Sequence, residues 1–173
     1  MIREIRKAFE AEDHAFLRNL AVELAKRAAI EQDLTSAQLS VIAYSLSKIL
    51  TKPHFQRSPN WKKYRQAILS ALVDAERGME ENVIERVEET IRRIDAEDGH
   101  FVKNIVDKAR SKMAAIAYSV GISASLAAGL FGSDIHDLLD YVGKMKIHDE
   151  DPVKVGIRER VNALRRLLDA DGR

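Results

Sequence analysis

The stretch Met79–Glu97, MEENVIERVEETIRRIDAE, decides the fold class. Val83, Ile84, Val87, Ile91 and Ile94 recur at helical spacing, and ten charged side chains fill the positions between them. A period of about 3.6 residues puts those apolar side chains on one face of an amphipathic helix. Ile84, Val87, Ile91 and Ile94 also match a and d heptad positions, but a coiled-coil seam needs about three to four heptads and this gives about two. The apolar face is therefore expected to pack inside its own chain.

Helical patterns continue on both sides. Toward the N-terminus, Gly78 marks a break, and Ser58 and Pro59 can start a helix over 59–77. Pro53 and Pro59 bracket a connector, Thr51–Asn60, expected to be non-helical. Thr35 or Ser36 can cap a helix over 36–51 that carries Leu39, Ile42, Ala43, Leu46, Ile49 and Leu50. Ile2, Ile5, Phe9, Phe16, Leu17, Leu20, Leu24 and Ala28 predict one long helix over 2–31. Toward the C-terminus, Gly99 precedes a helix starting near His100 or Phe101, which Gly121 can interrupt. Gly132-Ser133-Asp134 reads as a stop followed by a cap for a helix over 134–144. A polar loop, His148–Pro152, then leads to a last helix over 155–169. No segment alternates long enough to read as a strand. The expected fold is all-α: one domain over 1–173, an irregular bundle of about six to eight helices with a tight helix hairpin near 122–144.

Composition narrows the function classes. The chain has 173 residues, 46% hydrophobic and 32% charged, which excludes wholesale disorder. The absence of cysteine excludes disulfides, thiolate metal sites and cysteine nucleophiles. Met1–Glu12 is charged throughout, with no apolar core of a targeting signal, so a cytoplasmic location is expected. Met113–Ser133 is 21 residues long without a charge, but Ala, Ser and Gly dilute it. Ala117, Gly121, Ser125 and Gly129 recur every four residues, the small-residue spacing of close helix contact. A buried helix or helix pair is expected there rather than a membrane span. Ile42–Leu46 (IAYSL) and Ile116–Val120 (IAYSV) repeat each other, read as two buried helices that both need small residues beside a Tyr.

The net charge is only +1, but its distribution is uneven. Residues 34–73 hold no carboxylate and carry +6, whereas 74–98 carry −6, 133–152 carry −4 and 153–173 carry +3. Within the basic run, His54, Phe55, Trp61 and Tyr64 interleave with the cations. Cations pair with phosphates and aromatic faces stack on unpaired bases. Lys48, Lys52, Arg57, Trp61, Lys62, Lys63 and Arg65 are thus the candidate nucleic-acid contacts. Trp61 is either an exposed platform beside Lys62 and Arg65 or a buried anchor for the connector. The anchor is the expectation taken, because a Trp offered to solvent is costly unless a contact uses it.

Ala128, Gly132, Leu138 and Tyr141 within Ser123–Val142 are spaced as in the helix-turn-helix pattern, which this segment resembles. Ser133 departs from the apolar residue usual there, and Asp134, Asp137 and Asp140 would face DNA phosphate. The reading is a hairpin used for packing. His136-Asp137 and His148-Asp149, with His100 upstream, faintly resemble the His and Asp set of the HD phosphohydrolases; that implies a metal-dependent activity but assigns no residues. Asp134 and Asp137 are accounted for by capping and by the helix dipole. No GxGxxG, Walker, HExxH or GxSxG motif occurs, so no cofactor, metal or catalytic residue is expected. The functional expectation is a binding protein that contacts nucleic acid or another polyanion through 48–65. The alternative is an oligomerisation or protein-interaction module, such as a homodimer, without nucleic-acid binding.

Overall fold

Between Leu34 and Ser47 the chain carries no charge, and most of the other described helices pack against the helix that holds this segment. The computed structural model describes residues 1–78, 83–98 and 105–147. Among them lie nine helices and no strand: α1 Ile2–Glu10, α2 His14–Glu31, α3 Leu34–Thr51, α4 Pro53–Arg57, α5 Trp61–Arg77, α6 Val83–Asp98, α7 Ile105–Val120, α8 Ala124–Phe131 and α9 Ile135–Ile147. The expected starts at Met79 and His100, the loop His148–Pro152 and the helix over 155–169 lie outside the described residues.

The all-α bundle is as the sequence predicts; the extra helices come from two breaks and one short turn. The predicted helix over 2–31 is broken at Ala11–Asp13. Glu12 takes a left-handed φ of 57°, and the Asp13 carboxylate accepts the Phe16 amide at 2.9 Å to start α2. Phe16 is consequently 46% exposed and leaves the apolar stripe. The second break follows Val120, at Gly121 with φ 124°, after which Ser123 caps α8 by accepting the Leu126 amide. Of the small residues spaced every four, only Ala117 is fully buried; a side chain at Gly129 would meet open space, so the stripe is not a continuous contact.

Alanine and serine let the central helices approach closely. Ala21, Ala25, Ala28 and Ala29 of α2 are buried, as are Ser36, Ala37, Ser40, Ala43 and Ser47 of α3 and Ala109, Ala114 and Ala117 of α7. The two IAYS segments lie on α3 and α7, which pack on each other. Of the expected apolar stripe on α6, Val87 and Ile91 are fully buried within the core. No described helix is long and apolar enough to cross a membrane.

The cap of α3 is Asp33, not Thr35 or Ser36. Its carboxylate accepts the amides of Thr35 and Ser36 at 3.0 Å and the Ser36 hydroxyl at 2.6 Å. The Ser36 hydroxyl, followed by these amides, holds the Asp33 carboxyl below its ordinary value. The stability it supplies is present above the unfolded carboxyl's pKa and is lost as pH falls through the folded one. Asp33→Ala is expected to cost about 1 kcal/mol in denaturant unfolding at neutral pH. The gap from the parent should shrink as acid protonates the carboxyl.

The hairpin forms where expected, with Gly132 left-handed at φ 61° and Asp134 accepting the amides of His136 and Asp137. Arg110 of α7 binds this turn from below. Its Nη1 donates to the Gly132 carbonyl at 3.2 Å and its Nη2 to Glu88 of α6 at 2.6 Å.

Candidate functional site

Helix α7 packs against both α3 and α9, and a cleft of about 450 Å³ opens over it. Tyr44, Lys48 and Lys52 come from the α3 side, Ile105, Asp107, Lys108, Ser111 and Lys112 from α7, and Asp137, Asp140, Tyr141 and Lys144 from α9. Helical periodicity sets this lining. Lys48 follows Tyr44 by four residues, so the two share one edge of α3, and Lys52 is the extended residue that ends this helix. Lys108 and Lys112 are likewise four apart on α7.

Lysines of α3 and α7 meet on one ring. Lys48 Nζ lies 5.3 Å from the Tyr44 ring centroid and Lys112 Nζ 5.2 Å from it. Each contact is of cation–π type, worth about 0.5–1 kcal/mol where solvent reaches it. Burial pushes the Lys48 ammonium below its ordinary pKa, and Arg18 of α2 adds like-charge repulsion. The carboxylates are partly engaged elsewhere: Asp107 pairs with Arg92 of α6 at 3.2 Å, and Asp140 with Lys144 at 3.8 Å.

The structure divides the seven residues singled out by sequence. Lys48 and Lys52 line the cleft. Arg57, Lys62 and Lys63 are exposed on or after the connector. Arg65 ties α5 to the end of α1, donating to the Glu10 carbonyl at 2.8 Å and lying 3.6 Å from Glu12. Trp61 is half-buried against the core, neither a free platform nor the deep anchor. The anchor is Phe55, 1% exposed, on a short helix inside the connector expected to be non-helical. Beside it Gln56 donates to the Leu50 carbonyl at 2.7 Å and closes the end of α3, just before Lys52.

Sequence reasoning missed Lys108, Lys112 and Lys144, because they lie far along the chain from the basic run. The available signal was the matched four-residue spacing of Lys48/Lys52 and Lys108/Lys112. In the segment with helix-turn-helix spacing, Leu138 is buried and Ala128 nearly so, consistent with packing, while His136 and Asp140 are exposed. Among the described residues no three His, Asp or Glu side chains gather as metal ligands; His100, His148 and Asp149 lie outside them. No protein-family model, no curated protein and no solved structure matches the chain.

Proposed function

We propose that the chain is a binding protein for phosphate-bearing anions, single-stranded nucleic acid among them, and that the ligand enters the cleft over α7. The observation that carries this reading is the convergence of Lys48 and Lys112 on the ring of Tyr44. Gathering ammonium groups costs like-charge repulsion, and part-burial of Lys48 adds desolvation. The cleft lining carries five lysines against three carboxylates, so an anion seated beside Lys48 and Lys112 meets a net positive surface. The cleft volume falls in the range of about 300–1,000 Å³ typical of ligand sites.

The test is a titration of fluorescein-labelled single-stranded RNA and of pyrophosphate at two ionic strengths. Binding should weaken steeply with salt. Lys48→Gln/Lys112→Gln, which keeps chain length and removes charge, should weaken binding about tenfold or more and flatten the salt slope by about two. Lys62→Ala/Lys63→Ala should leave it nearly unchanged. Absence of binding at low salt, or loss only in the Lys62/Lys63 variant, would overturn the assignment.

A second reading, a homodimer, draws on α9. Ile135 and Leu139 are exposed one turn apart, and Leu126 is exposed on α8. Light scattering tests it: a dimer that Leu139→Ser dissociates supports it, and a monomer at high concentration rejects it.

A further inference from the structure

We infer that Lys48 is a nucleophilic amine and that the cleft takes a phosphate-bearing aldehyde or ketone, which it holds as an imine; this rests on the cleft being the anion site proposed above. Lys48 is half-buried, and among the described residues no carboxylate lies within ion-pair distance of it. Lys144, in the same lining, differs in pairing with Asp140 at 3.8 Å. The charged group that acts on Lys48 is a second cation, Arg18 of α2, and the Tyr44 ring 5.3 Å away is shared with Lys112. A lysine that is desolvated and crowded by like charge gives up its proton more readily, and the free amine is a nucleophile. Burial, then Arg18, accordingly hold the Lys48 ammonium below its ordinary pKa.

The backbone fixes where that amine stands. Its neighbours Ser47 and Ile49 are buried, so Lys48 is carried on a packed stretch of α3 and not on a loop. Tyr44 and Ile105, 5% and 3% exposed, also line the cleft, so part of its wall is apolar. A carbonyl carbon is an electrophile that a free amine attacks directly. The Lys48 nitrogen bonds to that carbon, both amine protons pass to the carbonyl oxygen, and the oxygen leaves as water. An imine C=N bond remains, and nothing is oxidised or reduced. With Lys48 as the amine, four lysines against three carboxylates keep the lining positive for the phosphate of the same molecule. A volume of about 450 Å³ suits one small molecule of this kind.

The probe is pyridoxal 5′-phosphate, an aldehyde that carries a phosphate, with pyridoxal as its phosphate-free counterpart. Each is added below stoichiometry to the full chain, and borohydride then reduces the imine to a stable secondary amine. Peptide mass mapping reads which lysine is labelled. Lys48 should carry most of the label, about tenfold above exposed lysines such as Lys62 and Lys63. Pyridoxal should label it about tenfold less, and pyrophosphate should compete with the phosphate-bearing probe. Lys48→Arg keeps a cation but offers no amine, and its total labelling should fall about tenfold. The map of the parent needs no variant, so it decides the matter even if Lys48→Arg folds poorly. Label spread evenly over the exposed lysines, or undiminished in Lys48→Arg, overturns the imine, while pyrophosphate binding to the parent upholds the anion site. Equal labelling of Lys48 by the two aldehydes overturns phosphate as part of the ligand. If pyrophosphate does not bind the parent at low salt, the anion site falls and this inference with it.

Discussion

Phe55→Ala should lower the unfolding free energy by about 3–5 kcal/mol, the range for truncating a buried aromatic. Phe55 is among the largest fully buried side chains of the described chain, although it sits in a five-residue helix between two prolines. It has little local helix to support it, because so short a segment has almost no stability of its own. The ring therefore supplies the reason the connector stays against α3, and His54 lies on it with ring centroids 4.3 Å apart. Trp61→Ala should cost clearly less, about 1–2 kcal/mol, because that side chain keeps part of its surface in water. Urea unfolding of the two variants, with unchanged slope, gives the comparison. A larger loss at Trp61 than at Phe55 would return the anchor to Trp61. The Phe55 variant should also weaken anion binding, since Lys52 is held between the end of α3 and the start of α4.

The fold class was legible because apolar periodicity survives in α2, α3 and α6. Val87, Ile91, Ile42, Leu46 and Leu24, all placed on apolar faces by spacing, are buried. The break at Ala11–Asp13 was not legible, because Phe9 and Phe16 are seven apart and keep a continuous stripe on paper. What breaks the helix is the left-handed turn at Glu12 and the side-chain cap from Asp13, a local competition between side chain and backbone that periodicity does not register. The connector was misread for a related reason: two prolines forbid helix interior but allow a first turn, and Pro53 occupies that place in α4. The candidate site was half legible. A linear run of charge locates Lys48 and Lys52, but convergence depends on which helices are neighbours. Only the packing of α7 between α3 and α9 brings Lys108, Lys112 and the α9 carboxylates to the same cleft. The packing of α1 on α5 gives Arg65 a structural partner on α1, a role that the charge run conceals.

Arg110→Met should destabilise the chain by about 3 kcal/mol or more. Glu88 is only 8% exposed, and its carboxylate is held by Arg110 at 2.6 Å. Removing one partner of such a pair leaves a desolvated charge behind, which costs about 3–5 kcal/mol, while replacing both by apolar groups is often neutral. Glu88→Leu/Arg110→Met should therefore recover most of the loss, and a double-mutant cycle should give a coupling of about 1–3 kcal/mol. Recovery should be incomplete, because Arg110 also donates to the Gly132 carbonyl and so holds the α8–α9 turn. That second contact predicts a companion result at the turn itself. A Cβ at Gly132 would stand 2.7 Å from Arg110 Nη1 at a φ of 61°, so Gly132→Ala strains the backbone and displaces the guanidinium together. The left-handed strain alone costs about 1–2 kcal/mol. Displacement of Arg110 adds to it in the parent but not in the double variant. Equal costs of Gly132→Ala in the two backgrounds would show that the turn and the ion pair are independent, and would remove Arg110 as the link between α6 and the helix that forms one side of the cleft.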